Sequence, residues 1–413
     1  MELKQRIIRK KVTRQLSRLV KSFSDSDLTL GDWQIDGIRW MLHREQDHHC
    51  RGGFLFDDMG LGKTIETIGL MIGNKVKRTL LILPSSLINQ WCFHLKRYDP
   101  DVRIIMHYGG SRLTSSWELP DERLIVLTSY DLTYHRKNVS SFVPTVLHKI
   151  DWDRIICDEC HLIRNFKCKR TIGINQLSGG IRWGLTGTPI HNGEMDFVNL
   201  FRFQGYKRDY ILKNLDILRD NYTLRRTKKM IGGDLELPKM SISIHRLDFS
   251  SDEEREFYRR VRGEVTREFS RLTNMKFNMT AVFELLMRSR QSCIYPQMVL
   301  NGYNKKYDTN IEDWTGSVSK IQKLADMIKF QKNDYPNDRT LVFSYFKDEM
   351  KLLKDYLKKL GYNVSIIDGS VSLSERDNIL QRCHFNLSLL EKSHFSKLPM
   401  EVCDKIMEYY NPV

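Results

Sequence analysis

The stretch that decides the fold is residues 53–64, Gly53-Phe54-Leu55-Phe56-Asp57-Asp58-Met59-Gly60-Leu61-Gly62-Lys63-Thr64. Four mostly apolar residues predict a buried strand, and the glycine-rich turn after them predicts a phosphate-binding loop that opens a helix. In such a loop the backbone N–H groups hold phosphate oxygens, Lys63 reaches the β- and γ-phosphates, and the Thr64 hydroxyl binds Mg²⁺. Asp57 stands where the strict pattern GxxxxGK[ST] has its first glycine.

An acidic box lies about a hundred residues further along the chain. Asp158-Glu159-Cys160-His161 directly follows the strand-like Arg154-Ile155-Ile156-Cys157. Nucleotide hydrolysis needs one carboxylate to complete the Mg²⁺ shell and a second group to polarise the attacking water. The loop and the box together predict an ATP-hydrolysing α/β core.

Two other interpretations of the box are disfavoured. Cys157 to His161 also fits the C-x-x-C-H pattern of haem attachment, but that chemistry normally belongs to exported proteins, and the N-terminus has no apolar signal stretch. A zinc site is disfavoured because Cys168, His191 and the other candidates form no second pair at ligand spacing.

Length and composition limit the class of protein. The 413 residues are too many for one ordinary core and predict two or three domains. The chain is 41% hydrophobic and 28% charged, which is typical of a soluble globular protein. No apolar run reaches the ~18–20 residues of a membrane span, so we expect no membrane partner. Eight cysteines in so long a chain indicate a reducing compartment rather than a disulfide framework.

The charge balance favours a polyanionic partner. The net charge is +15, from 66 Lys and Arg against 51 Asp and Glu, which suits nucleic acid but also simple solubility. Residues 1–22 predict a basic amphipathic helix. Packing on the core with a solvated basic face is the preferred interpretation, and contact with nucleic acid or a role as a nuclear import signal stays open.

The order of apolar runs predicts an α/β fold with a doubly wound parallel sheet, followed by a long helical stretch and a second α/β unit that begins near Ser319. We expect strands at 79–83, 103–108, 124–128 and 181–186, besides the two already described. The predicted domains are a basic N-terminal helix (1–30), a first ATP-binding lobe (31–204), a helical linker or insertion (205–315), a partial second lobe (316–383) and a C-terminal tail helix (384–413). The tail faintly resembles the first helix of an F-box-like module, and a structural cap is the preferred interpretation.

Motifs over residues 30–383 resemble, in family order, those of the Swi2/Snf2 family of superfamily 2 DNA-dependent ATPases. The segments that carry the resemblance are 33–41, 57–64, 83–91, 128–130, 158–161, 185–189 with Asn192, 224–228 (Leu-Arg-Arg-Thr-Lys), 286–296, 319–320, 341–346 and 367–370. The short form and compact spacing resemble versions from large DNA viruses.

The resemblance implies an α/β fold with a RecA-like parallel sheet domain, a helical insertion and a partial second RecA-like domain. It also implies a role for individual residues. Lys63, Asp158 and Glu159 would be catalytic, and Thr64 and Asp158 would bind Mg²⁺. The ATP site would comprise Gln34, which reads adenine, and the loop Asp57, Asp58, Met59, Gly60, Leu61, Gly62, Lys63 and Thr64. Coupling of hydrolysis to movement would use Thr186, Gly187, Thr188 and Pro189. DNA contacts would come from Ser85, Ser86, Gln90, Thr128, Arg225 and Arg226.

The sequence departs from the family pattern after Arg382. No Gly-rich motif or paired-arginine motif follows, and in the family that arginine pair reaches the γ-phosphate. Because an arginine finger is worth roughly 10³–10⁵ in rate, we expect ATP binding on the first lobe and place hydrolysis by this chain alone in doubt.

The resemblance implies a DNA-dependent ATPase that acts on double-stranded DNA or chromatin, uses ATP and Mg²⁺, and serves as a transcription regulator. The expected partners are double-stranded DNA and chromatin or transcription proteins, in the nucleus or a viral replication compartment. Two alternatives stay open. One is a catalytically impaired, ATP-gated DNA-binding regulator. The other is a DExH-type RNA helicase, which Leu224-Arg225-Arg226-Thr227-Lys228 and the long helical insertion disfavour.

Overall fold

A computed structural model describes residues 2–46, 51–114, 120–135, 143–190, 193–232, 241–273 and 279–385. These residues form two compact units, one of residues up to 232 and one of residues 241–385.

The first unit is built on a seven-stranded parallel sheet in the order β3-β4-β2-β5-β6-β1-β7. The strands are β1 Gly52–Leu55, β2 Arg78–Leu83, β3 Arg103–His107, β4 Leu124–Ser129, β5 Trp152–Asp158, β6 Gly179–Leu185 and β7 Thr223–Leu224. The predicted parallel α/β class is confirmed, and the six predicted strands of this unit all form.

Helices cover both faces of this sheet. They are α1 Glu2–Ser24, α2 Asp32–Arg44, α3 Lys63–Gly73, α4 Ile88–Tyr98, α5 Lys169–Asn175, α6 Met195–Phe203, α7 Arg208–Lys213, α8 Leu215–Tyr222 and α9 Lys228–Ile231. In β2, Leu81 and Leu83 join the apolar cluster on one face, while Leu80 and Ile82 join the cluster on the other. Burial on both faces explains why these strands appear in the sequence as continuous apolar runs.

The N-terminal helix packs on the first unit. Val12, Leu16, Leu19 and Phe23 are buried against the core at helical spacing, while the Lys and Arg side chains from residue 9 onward are exposed. The predicted packing is confirmed. The first unit also includes residues 205–232, because α7, α8 and β7 pack on the sheet, so neither predicted boundary, at 30 or at 204, separates compact units.

The second unit is helical in its described residues. Its helices are α10 Asp252–Thr273, α11 Met279–Ser292, α12 Pro296–Tyr307, α13 Ser319–Asp334, α14 Lys347–Lys359 and α15 Leu373–Phe385. The buried carboxylate of Glu254 accepts a 3.1 Å hydrogen bond from the backbone N–H of Ser319, and so binds the first residue of α13 to α10. Ile321, Ile328 and Leu353 belong to an apolar cluster between α13 and α14.

The strands predicted for the second unit do not form. Residues 340–344 and 363–369 are irregular, although Val342 and Val364 pack on the cluster of α13 and α14. A strand needs a hydrogen-bonded neighbour, and two parallel strands by themselves are marginal at best. Among the described residues of this unit no further strand is available to pair with them.

Among the helices that the structure describes, none combines the length and the apolar composition of a membrane span. The predicted tail helix over 384–413 falls almost entirely outside the described residues, which end at Phe385 within α15.

Candidate functional site

Three neighbouring strands bring the predicted site residues together. In the sheet, β6 lies between β1 and β5. The phosphate loop follows β1, Thr186 and Gly187 follow β6, and Asp158 ends β5. Because parallel strands lie about 4.8 Å apart and end at one edge, the three segments meet within about 10 Å.

The loop after β1 has the geometry of an anion site. Gly60 and Gly62 have φ of 82° and 89°, a conformation that glycine adopts without strain. The helix α3 begins at Lys63, and no side chain caps its N-terminus, so its first N–H groups remain for a ligand. Nζ of Lys63 lies 2.9 Å from the Asp57 carbonyl oxygen and 3.3 Å from that of Asp58. This set of donors fits the phosphates of a nucleotide.

Gln34 lies over the loop. Its Nε2 donates to the Leu61 carbonyl oxygen at 3.3 Å, and its Oε1 accepts from the Gly31 N–H at 2.9 Å. A Cβ atom at Gly62 would approach Nε2 of Gln34 to 2.1 Å. The structure therefore places Gln34 beside the loop, and its role toward adenine stays a prediction.

Asp158 is a buried carboxylate at the end of β5. Its Oδ2 accepts a 2.8 Å hydrogen bond from the indole N–H of Trp91, and the Tyr130 hydroxyl donates to its backbone carbonyl. Burial and the neighbouring Glu159 raise the pKa of Asp158 to about 7. A divalent cation would offset that cost, because it favours the ionised carboxylate.

Glu159 is held by two side chains. Its Oε2 lies 3.1 Å from Nδ1 of His161 and accepts from the Thr186 hydroxyl at 3.1 Å. Although burial acts to raise the pKa of Glu159, the hydrogen bond and charge of His161 lower it overall. Glu159 is thus a fixed, ionised carboxylate of the kind that orients water.

The segment after β6 connects the loop to the acidic box. The Thr186 hydroxyl lies 2.9 Å from Nδ1 of His161 and accepts from the Thr188 N–H at 3.1 Å. A Cβ atom at Gly187 would lie 2.8 Å from Cγ of Met59 and 3.6 Å from Nζ of Lys63, so only glycine allows this approach. Pro189 is buried beyond it, and Asn192 lies outside the described residues.

The Asp57 side chain does not face the predicted nucleotide site. The Asp57 side chain is fully buried and accepts hydrogen bonds from the Arg226 guanidinium, so only its backbone carbonyl faces Lys63. The Asp58 carboxylate accepts from the Lys228 N–H at 3.1 Å. These two side chains form hydrogen bonds with Arg226 and Lys228 beside the loop, and they are not directed at phosphate.

The predicted DNA contacts divide into two groups. Ser85 and Ser86, in a 3-10 turn after β2, and Gln90, on α4, are partly exposed, and the Arg225 side chain is 50% exposed. For these residues DNA contact stays a prediction. For two others the prediction is wrong in this structure. Thr128 is fully buried within β4, and its hydroxyl donates to the His107 carbonyl. Arg226 is 14% exposed, and its guanidinium is engaged by carboxylates.

Sequence reasoning did not assign a role to Trp91, Tyr130 or His161. The burial of Trp91 could have been predicted from the sequence, because it shares one face of α4 at helical spacing with the other buried residues Ile88, Cys92 and Leu95. The partner of the indole N–H could not be read, since Trp91 and Asp158 are 67 residues apart in the chain.

Comparisons with known proteins identify the family of this chain. A family model described as an SNF2-related domain matches residues 33–298, and one described as a helicase conserved C-terminal domain matches residues 319–390. A "Probable global transactivator" of Orgyia pseudotsugata multicapsid polyhedrosis virus is 26% identical over 361 residues, which cover 83% of this chain and 71% of that protein.

Cellular relatives are longer. The "ISWI chromatin-remodeling complex ATPase ISW1" of Saccharomyces cerevisiae is 26% identical over 378 residues, covering 84% of this chain but 32% of that protein. The "Putative ATP-dependent helicase/translocase YwqA" of Bacillus subtilis is 26% identical, with 86% and 39% covered. The chain thus spans about a third of the length of these two. A solved structure, the Sulfolobus solfataricus SWI2/SNF2 ATPase core in complex with dsDNA, is 24% identical with a TM-score of 0.43, covering 86% of this chain and 75% of that one.

Proposed function

The chain belongs to the family of proteins with an SNF2-related domain, and we propose that it binds ATP with Mg²⁺ and hydrolyses it when bound to double-stranded DNA. The observation that supports this most is the meeting of the phosphate loop, Gly187 and the acidic box at one edge of the sheet. Two motifs that are distant in the sequence and complementary in chemistry lie side by side there. Glu159 is held in place by His161 and Thr186.

Each residue has a distinct part in the proposed reaction. Lys63 and the N-terminus of α3 bind the phosphates, while Thr64 and Asp158 would hold Mg²⁺. Glu159 orients the attacking water and accepts its proton. The Mg²⁺ ion, when bound, supplies positive charge for the phosphate oxygens.

We propose that DNA binds through its backbone. In the predicted contact set, Arg225 is exposed and Ser85, Ser86 and Gln90 are partly exposed, and the net charge of +15 favours a polyanion. Phosphate contacts of this kind carry little sequence information and weaken steeply with salt. We propose that the protein acts in the nucleus or a viral replication compartment, as a regulator of transcription or chromatin, and the likeness to a viral transactivator and a chromatin-remodeling ATPase supports this.

The test is ATP hydrolysis by the purified chain with and without double-stranded DNA, beside Lys63→Ala. We expect turnover that DNA stimulates and that Lys63→Ala abolishes. Turnover equal in the two proteins would overturn the proposal. Lys63-dependent ATP binding without any turnover would replace it with a nucleotide-gated DNA-binding protein, and stimulation by RNA in place of DNA would point to a DExH-type RNA helicase.

A further inference from the structure

The segment after β7 runs along the first residues of the phosphate loop. The Phe56 N–H donates to the Leu224 carbonyl at 2.7 Å, and the Asp58 N–H donates to the Arg226 carbonyl at 2.9 Å. The Lys228 N–H donates to the Asp58 carboxylate at 3.1 Å. Residues 224–228, called here the linker segment, are therefore the backbone partner of the loop where it leaves β1.

Arg226 of the linker segment inserts its side chain beneath the loop. Its Nε donates to Oδ2 of Asp57 at 2.9 Å, and its Nη2 donates to Asp57 and, at 2.8 Å, to Oε2 of Glu66. The Arg226 side chain is 14% exposed, and both carboxylates are fully buried. Burial acts to lower the pKa of Arg226, but the two carboxylates raise it, so the guanidinium stays charged.

These partners hold the loop at both of its ends. Asp57 is its first residue, and Glu66 lies on α3, one turn after Lys63. A third contact comes from Trp33, whose carbonyl accepts from Nη1 of Arg226 and whose indole N–H donates to the Leu61 carbonyl at 2.9 Å. Arg226 therefore contacts the start of the loop, the helix after it and the residue that covers it.

The helix α2 leaves room for this cluster only because of a glycine. A Cβ atom at Gly37 would lie 1.7 Å from Oε2 of Glu66 and 2.7 Å from Nη2 of Arg226. The residue at position 57 is equally important for this cluster. The strict loop pattern has glycine at this position, and a glycine would deprive Arg226 of the carboxylate that accepts three of its hydrogen bonds.

We infer that Arg226 is a positioning residue for the nucleotide. Through its hydrogen bonds, Arg226 couples the conformation of the phosphate loop to the docking of the linker segment. The inference rests on the proposed function and deepens it. The contacts run through Asp57 and Asp58, so undocking of the linker segment would remove hydrogen bonds from the start of the loop. By thermodynamic reciprocity, a nucleotide that favours the ordered loop also favours the docked linker segment.

A purely structural ion cluster would have a different signature. Removing one partner of a buried pair always lowers stability, so stability alone does not distinguish the two roles. A positioning role also predicts that nucleotide affinity changes, that the effects of Arg226 and Asp57 are not additive, and that nucleotide protects the linker segment.

The experiment titrates a fluorescent ADP analogue with Mg²⁺ into the full chain and four variants, Arg226→Gln, Asp57→Asn, their double variant and Lys63→Ala. Arg219→Gln is the matched control, because Arg219 is a half-exposed arginine on α8 that pairs with Asp216 and Asp220. Hydrogen exchange of the peptide over 224–232 is measured with and without nucleotide. We expect Arg226→Gln to weaken binding about tenfold or more, and the double variant to bind no worse than the weaker-binding of the two single variants. Nucleotide should slow exchange in the parent chain and in Arg219→Gln, but not in Arg226→Gln.

The outcomes separate this inference from the proposed function. Binding by the parent chain that does not depend on Lys63 would contradict the proposed function itself. Lys63-dependent binding with unchanged affinity and unchanged nucleotide protection in Arg226→Gln would overturn the inference. Should Arg226→Gln fail to fold, Arg226→Lys replaces it, because a lysine keeps the charge but cannot donate to both carboxylates in the same fork. Parent-like affinity and nucleotide protection in Arg226→Lys would then overturn the inference.

Discussion

The indole N–H of Trp91 donates a 2.8 Å hydrogen bond to Oδ2 of Asp158, and both side chains are buried. Trp91 lies on α4, directly after the turn that holds Ser85 and Ser86. The helix next to the proposed DNA surface therefore contacts the carboxylate proposed to bind Mg²⁺. A displacement of α4 would alter the orientation of that carboxylate.

Trp91→Phe tests this contact, since phenylalanine keeps an aromatic ring and removes the N–H. We expect the affinity for Mg²⁺-nucleotide to fall about 10–100-fold, the usual cost of losing an outer partner of a metal ligand. Trp183→Phe is the matched control. The buried Trp183 indole donates to a buried carboxylate, Glu45, which pairs with Arg154 four residues before Asp158. Equal losses of affinity in the two variants would show that the Trp91 contact is not specific.

The raised pKa of Asp158 predicts a pH dependence of metal binding. Mg²⁺ binds the ionised carboxylate, and with a pKa of about 7 most of the free protein carries a proton on Asp158 at pH 6. The apparent affinity for Mg²⁺-ADP should therefore rise about tenfold from pH 6 to pH 8. Titrations at both pH values measure it, with ADP in EDTA as the control for the nucleotide's own titration. A dependence that persists in Asp158→Asn would assign the proton to another group.

Thr186→Val tests the support of Glu159. Valine has nearly the same shape but removes the hydroxyl that donates to Oε2 of Glu159 and accepts from the Thr188 N–H. Loss of a hydrogen bond worth about 1–1.5 kcal/mol predicts a fall in kcat of about tenfold, with ATP affinity nearly unchanged. Thr171→Val is the control, because Thr171 is a buried threonine that donates to the Ile163 carbonyl. It should lower stability and leave kcat unchanged.

Arg154→Met tests the core beneath the site. The Arg154 and Glu45 side chains are 1% and 0% exposed, and Arg154 donates to both oxygens of Glu45. Removing one partner leaves a buried charge unpaired, so we expect a loss of about 3–5 kcal/mol in the free energy of unfolding in urea. Arg39→Met breaks the exposed pair with Asp36 and should cost less than about 1 kcal/mol. Similar costs for both would contradict this account.

The strands and the two main motifs could be predicted because their signals are local. Strands β2 and β4 contain continuous apolar runs, and Asp57 to Thr64 and Asp158 to His161 are short motifs. The strand β7 has two residues, too few for a pattern, and it pairs only because β1 lies beside it. Arg226 shows the same limit, since its partner Asp57 is 169 residues away and the sequence indicates only that the arginine is basic. In the second unit, apolar runs predicted strands that have no hydrogen-bonded partner among the described residues.

The most direct test of the central claim is to separate binding from hydrolysis with Glu159→Gln under single-turnover conditions on double-stranded DNA. Glutamine keeps the shape and the contact with Thr186 but cannot accept a proton from water. We expect ATP affinity like that of the parent chain and hydrolysis slowed about 10²–10⁴-fold, whereas Lys63→Ala loses binding. Hydrolysis by Glu159→Gln at the parent rate would contradict the assignment of the acidic box as the catalytic centre.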